Sequence, residues 1–163
     1  MQTAERADWT LDFELRGEAR EEALSRVAQV LESWELKLPG DPMPIHFGLN
    51  DFENIGETEF WIVNDTTNNY CGKFLFMFEG QRCPLHYHNI KDETFFIVRG
   101  DVEMEADEDV SILKQGGVFK MAPGVNHTFR AVGGPALVLE VSLPSIQGDN
   151  IFDDNRIGNE GVL

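Results

Sequence analysis

The chain has 163 residues, 42% of them hydrophobic, and sets 13 Lys and Arg against 29 Asp and Glu for a net charge of −16. Length and apolar content suit one folded domain and exclude a disordered chain, and no apolar run approaches the ~20 residues of a membrane helix. The acidic balance argues against nucleic acid and anionic membranes as partners.

Residues 1–8 read as a frayed start. Trp9, Leu11, Phe13 and Leu15 then alternate with polar residues, the period of a half-buried strand. Residues 18–34 predict a helix. Leu24, Val27, Leu31 and Trp34 fall on one stripe, with Glu21, Glu22 and Glu32 outside it. Pro39, Gly40, Pro42 and Pro44 are expected to end regular structure. From residue 59 short β-rich runs follow one another: EFWIV, GKFLFMF, TFFIV, DVEME, VSILK, GGVFKM, HTFRAV and ALVLEVSL. Asn64-Asp65, Gly80, Gly100, Gly116-Gly117 and Gly133-Gly134 separate them as turns. This rhythm predicts an all-β antiparallel barrel or sandwich. After Pro144 periodicity fades, but Ile151, Phe152 and Ile157 predict a packed tail. The whole chain, 1–163, reads as one domain: an extension over 1–44, a barrel over 45–143 and a closing segment over 144–163.

Two cysteines, Cys71 and Cys83, are too few for a thiolate zinc cage. The first residues, MQTAERADWTLDFELRGEAREE, show no basic-then-apolar signal pattern. Two reduced, packed thiols in a cytoplasmic protein are therefore expected.

The four histidines are His46, His86, His88 and His127. His86 and His88 stand two apart, so on a strand both face the same way. Glu93 follows a turn and can reach back to the same interior. His127 opens another strand after Pro123-Gly124. Three imidazoles and a carboxylate suit a divalent transition metal, and an octahedral ion so held keeps about two positions open. His46, in PIHFGL, lies outside the pattern and is expected to be structural or to line the pocket.

The spacing Gly80-x5-His86-x-His88-x4-Glu93-x6-Gly100 resembles the first cupin motif in full. Gly117-x5-Pro123-Gly124-x2-His127 resembles the second, with Pro-Gly adjacent and Ala131 where Asn is common. NNYCGKFLFMFEGQRCPLHYH, ETFFIVRGDVEM, VLEVSLPS and NIFDDNRIG further resemble the small cupins of the D-lyxose ketol-isomerase type. The resemblance implies a jelly-roll cupin barrel with an N-terminal helix and a metal held by His86, His88, Glu93 and His127. The metal is expected to be Mn²⁺, with Fe²⁺, Zn²⁺, Ni²⁺ or Co²⁺ as alternatives. It also implies a free sugar as substrate, either D-lyxose/D-xylulose or D-mannose/D-fructose, and a homodimer.

Aldose–ketose isomerisation needs a base, an acid and an electrophile. Glu140, in the apolar run ALVLEVSL, is the candidate base, its pKa raised by burial if it faces inward; the plainer alternative is an outward-facing strand residue. Lys73, before FLFMF, would stabilise an oxyanion. Asp154 and Arg156 would cap the pocket mouth. Two other functions stay open on the sequence: a cupin dioxygenase with the same ligands, and a non-catalytic sugar- or metal-binding module.

Overall fold

A computed structural model of the chain describes residues 13–163. Trp9 and Leu11 of the expected first strand lie outside the described residues. Of its remainder, Glu14 makes a single antiparallel bridge to Ile45.

Helix α1 spans Gly17–Ser33 and buries Ala23, Val27 and Leu31. Glu35, in the left-handed region at φ 56°, stops it, and the Leu36 amide bonds the Leu31 carbonyl. Its apolar stripe packs on Phe60, Phe76 and Leu137, and the Trp34 and Phe76 rings lie 5.9 Å apart. The helix thus covers the outer side of the sheet, leaving the inner side for a second core and the site.

Among the described residues nine strands form that sheet: β1 (Met43–Ile45), β2 (Glu57–Asp65), β3 (Tyr70–Met77), β4 (Arg82–Tyr87), β5 (Glu93–Ala106), β6 (Asp109–Leu113), β7 (Val118–Met121), β8 (His127–Ser142) and β9 (Ile151–Phe152). Their pairings are antiparallel, in the order β1-β2-β3-β8-β4-β9, with β5 joined to β6, β7 and β8. Strand β8 is the spine. Its C-terminal half pairs with β3, its N-terminal half with β4, and β5 runs along its other edge past both. The expected all-β cupin fold with one N-terminal helix is observed.

Three details differ from the sequence reading. Pro44 does not end structure but sits in β1, whose edge position needs no amide from it, and its carbonyl accepts the Leu15 amide. Gly100 and Gly133-Gly134 do not form turns. TFFIV and DVEME are one strand, as are HTFRAV and ALVLEVSL, and both strands bend together where the register slips between Arg99↔Leu137 and Asp101↔Val132. Glycine at a bulge lets a long strand curl instead of reversing. A Cβ at Gly100, where φ is +76°, would collide with the Pro135 carbonyl. At Gly80, φ +82°, a Cβ would meet open space.

Gly100→Ala is therefore expected to lower stability by more than about 2 kcal/mol, combining left-handed backbone strain with the clash. Gly80→Ala carries the backbone strain alone and should lose only about 1–2 kcal/mol. Urea unfolding of the two variants measures the difference.

Candidate metal centre and its charged cavity

Strand alternation builds the site. Glu57, Glu59 and Trp61 on β2, Lys73 and Leu75 on β3, Glu93 and Phe95 on β5, and Glu140 on β8 all line one cavity. Lys73 and Glu140 are direct partners across the β3/β8 ladder, as are His86 and His127 across β4/β8.

The ligand atoms of His86, His88 and His127 lie within 4.8 Å of one another, and all three residues are buried. Each ring has its Nδ1 on a backbone carbonyl: His86 on Pro84 at 2.8 Å, His88 on Asp149 at 2.9 Å, His127 on Val125 at 3.0 Å. A carbonyl only accepts, so each Nδ1 carries the proton and each Nε2 keeps a lone pair. Burial, then the neighbouring His127 and His88, holds the His86 pKa well below its ordinary value, so its ring is neutral at pH 7. Nε2 of His88 and His127 and Oε2 of Glu93 are buried without hydrogen-bond partners. Three clustered imidazoles, each with Nδ1 anchored on a carbonyl, and unpartnered ligand atoms on His88, His127 and Glu93 fit a divalent metal site.

Beside the histidines lies a net of buried charge. Lys91 Nζ bonds Glu93 Oε1 at 2.9 Å and Glu140 Oε1 at 2.6 Å. Lys73 Nζ bonds Glu59 Oε1 at 2.6 Å and stands 3.5 Å from Glu140 Oε2. The Trp61 indole donates to Glu59 Oε2 at 2.8 Å, and Ser142 Oγ to Glu140 Oε1 at 2.8 Å. Burial alone would lower both ammonium groups. For Lys91 the Glu140 and Glu93 carboxylates outweigh it, for Lys73 Glu140, Glu59 and Glu57 do, and both stay charged. Glu140 faces inward as expected, but its pKa is not raised. Burial pushes it up, and the Lys73 and Lys91 charges together overcome that and lower it. Glu57 goes the other way: burial, then the Glu59 charge, lifts it to about 8.

The chain matches a cupin-domain family profile over residues 74–142 and a D-lyxose isomerase profile over residues 18–105. It is 33% identical over 138 residues to the D-lyxose/D-mannose isomerase of Thermosediminibacter oceani, covering 68% of this chain and 75% of that protein. The chain belongs to the D-lyxose isomerase family. It is thus a ketol-isomerase, an intramolecular oxidoreductase, of the cupin sugar-isomerase type; neither the dioxygenase nor the non-catalytic reading fits that membership. Solved structures agree on the fold. The L-ribose isomerase of Cellulomonas parahominis superposes with a TM-score of 0.71 at 19% identity, over 88% of this chain and 94% of that one. That of Acinetobacter sp. DL28, in complex with L-ribose, gives 0.72 at 16% identity, over 86% and 95%.

Within this isomerase the structure brings His86, His88, Glu93, Lys73 and Glu140 into one cavity and sets His127 against its histidines, with His127 Nε2 3.3 Å from Glu93 Oε2. Asp154 and Arg156 do pair, at 2.5 Å between Oδ2 and Nη2, but Arg156 is 71% exposed and neither residue lines the cavity. His46 is structural: its Nδ1 accepts the Gly48 and Asn50 amides, and it does not line the cavity. Both cysteines are free and buried, and Cys83 Sγ lies 3.9 Å from His86 Nδ1.

Sequence reasoning missed four participants. Lys91 lies in the NIKDE turn, where a lysine reads as solvated. Glu57 and Glu59 precede an apolar run, although their period-2 spacing with Trp61 was the available signal. Asp149 carried no local signal; it accepts the Asn89, Ile90 and Lys91 amides at 2.9, 3.0 and 3.0 Å and so shapes the loop between His88 and Glu93.

The raised Glu57 carboxyl has a measurable consequence. Its ordinary value is 4.5 and its folded value about 8, so between these the folded state holds a proton that the unfolded state has lost. Stability therefore falls as pH rises through that window, by at most about 1.4 kcal/mol per unit. Glu57→Gln removes the effect. Its stability relative to wild type should climb between pH 4.5 and 8 and level off above. Thermal melts across the range test this; a gap independent of pH would mean that Glu57 ionises normally.

Proposed function

We propose that this enzyme interconverts the aldose and ketose forms of a free sugar, D-lyxose with D-xylulose or D-mannose with D-fructose. The name and 33% identity of the Thermosediminibacter oceani relative support that substrate class. The observation that carries the chemistry is Glu140: a buried, ionised carboxylate with one oxygen fixed by Lys91 and Ser142 and the other 3.5 Å from Lys73.

Glu140 Oε1 already accepts two hydrogen bonds, which leaves Oε2 as the basic oxygen. In this reading Oε2 takes the proton from C2 of the aldose, giving an enediolate, and returns it to C1. A second proton passes from O2 to O1, and the ketose results without any external oxidant or reductant. The Lys73 ammonium, charged and buried, balances the negative oxygen that develops beside Oε2. A low Glu140 pKa keeps the base ionised at pH 7, at some loss of intrinsic basicity. Glu93 is the fourth metal ligand alongside the three histidines, its Oε1 3.4 Å from His88 Nε2 and its Oε2 3.3 Å from His127 Nε2. A divalent ion held there by the three histidines and Glu93, Mn²⁺ in this reading, would supply Lewis-acid polarisation of the sugar carbonyl. Lys91 acts by position, since it holds Glu93 and Glu140 at a fixed separation.

Two finer readings accompany this one. Reduced, buried Cys71 and Cys83 fit the cytoplasm. Ile62, Val141, Phe96 and Val118, all exposed on the outer sheet face, fit cover by a second copy of the chain.

Three experiments test the core of the proposal. His86→Ala and His127→Ala should each lose stoichiometric metal in elemental analysis; full retention in both would remove the site. Glu140→Gln keeps shape and polarity but not the base, and kcat should fall by roughly 10²–10⁴ with metal retained. Turnover of D-lyxose or D-mannose in D₂O should place deuterium at the product carbon. Absence of deuterium together with near-normal kcat for Glu140→Gln would rule out Glu140 as proton carrier.

A further inference from the structure

Four carboxylates line the cavity and two lysines serve them. Glu59 takes Lys73, Glu93 takes Lys91, and Glu140 meets both. Glu57 forms no ion pair with either lysine among the described residues, and its Oε2 is buried without a hydrogen-bond partner. It is 3% exposed yet lines the cavity, on the same face of β2 as Glu59 and Trp61. A buried polar oxygen left unpaired is costly, and such atoms in native structures commonly mark a ligand contact. We propose that Glu57 is a specificity-determining residue, its free carboxyl oxygen bonding one hydroxyl of the bound sugar away from the reacting carbons.

The placement separates Glu57 from the chemistry. Lys73 and Lys91 both face Glu140, the proposed base, and Glu59 is tied up by Lys73 and the Trp61 indole. With Glu93 turned to the histidines and Glu140 assigned to the proton transfer, Glu57 keeps an oxygen for a partner that arrives with the substrate. A sugar hydroxyl both donates and accepts, so it meets a carboxyl in either protonation state. The upward shift of Glu57 to about 8 fits a neutral carboxylic acid that offers its own proton to the hydroxyl oxygen. A neutral group also spares the cavity a second uncompensated negative charge. A site with a fixed polar contact of this kind rejects sugars that lack the matching hydroxyl, because the protein oxygen is then stranded.

The inference rests on the isomerase reading above, and the test separates the two. Calorimetric Kd and steady-state kcat/KM are measured for D-mannose and its 3-, 4- and 6-deoxy derivatives with wild type, Glu57→Gln and Glu57→Leu. Wild type should disfavour one deoxy sugar by about 10–100-fold. Glu57→Leu should weaken D-mannose by a similar factor, chiefly in Kd and KM, and treat that deoxy sugar and D-mannose alike. Glu57→Gln, which still offers an amide, should show an intermediate loss. Equal discrimination in wild type and Glu57→Leu overturns the proposal, as does an unchanged D-mannose Kd. If Glu57→Leu does not fold, unchanged discrimination in Glu57→Gln overturns it equally. Wild-type binding of D-mannose without turnover defeats the isomerase reading while the Kd comparison still judges Glu57; absence of binding defeats both.

Discussion

A single ammonium group joins the two halves of the site. Lys91 Nζ sits 2.9 Å from a Glu93 oxygen and 2.6 Å from a Glu140 oxygen, in a region where all three side chains are nearly inaccessible to water. Buried carboxylates without such a partner would lose several kcal/mol of solvation each. Lys91 is the main charge that keeps Glu93 ionised, and at Glu140 it acts together with Lys73. Glu93 faces the histidines and Glu140 faces the reacting end of the cavity, so one lysine sets the distance between them. Its own position depends on Asp149, whose carboxylate gathers the Asn89, Ile90 and Lys91 amides from a segment sixty residues along the chain.

The histidines follow the same logic by a different means. Their Nδ1 atoms are spent on carbonyls at Pro84, Val125 and Asp149, two of them only two residues upstream of the ring they hold. Local backbone geometry thus fixes the tautomer of His86 and His127, whereas His88 draws on the closing segment. Neutral rings at close quarters are tolerable in a dry cavity; protonated ones are not. Burial and mutual proximity therefore keep the His86 ring in the form that can bind a cation.

Electrostatics sorts the four carboxylates into roles. Two lysines cannot neutralise four negative charges, so the proton that remains goes to the carboxyl with the weakest hold on a lysine, Glu57. Burial pushes both Glu57 and Glu140 upward; the Glu59 charge adds to it at Glu57, whereas Lys73 and Lys91 reverse it at Glu140. A burial argument alone gives the wrong sign for Glu140, because it omits charges that are close only after folding.

Much of this was legible in the sequence, for a physical reason. Strand alternation has period two, so His86-x-His88 and the spacing to Glu93 declare a shared face without any knowledge of the fold. Short β-rich runs declare an antiparallel sheet, and the Val27–Leu31 stripe declares the helix that covers it. Glycine is ambiguous by nature: Gly100 and Gly133-Gly134 serve a bend as readily as a turn, and only the β5/β8 pairing decides between them. The tertiary structure alone decided which charges meet. Lys91 and Asp149 acquire much of their meaning from partners far along the chain, Glu140 and the amides of Asn89, Ile90 and Lys91, and contacts at that separation leave no periodic trace in the chain. Asp154 and Arg156 show the converse: the family resemblance put them at the pocket mouth, but in the folded closing segment they pair with each other and neither lines the cavity.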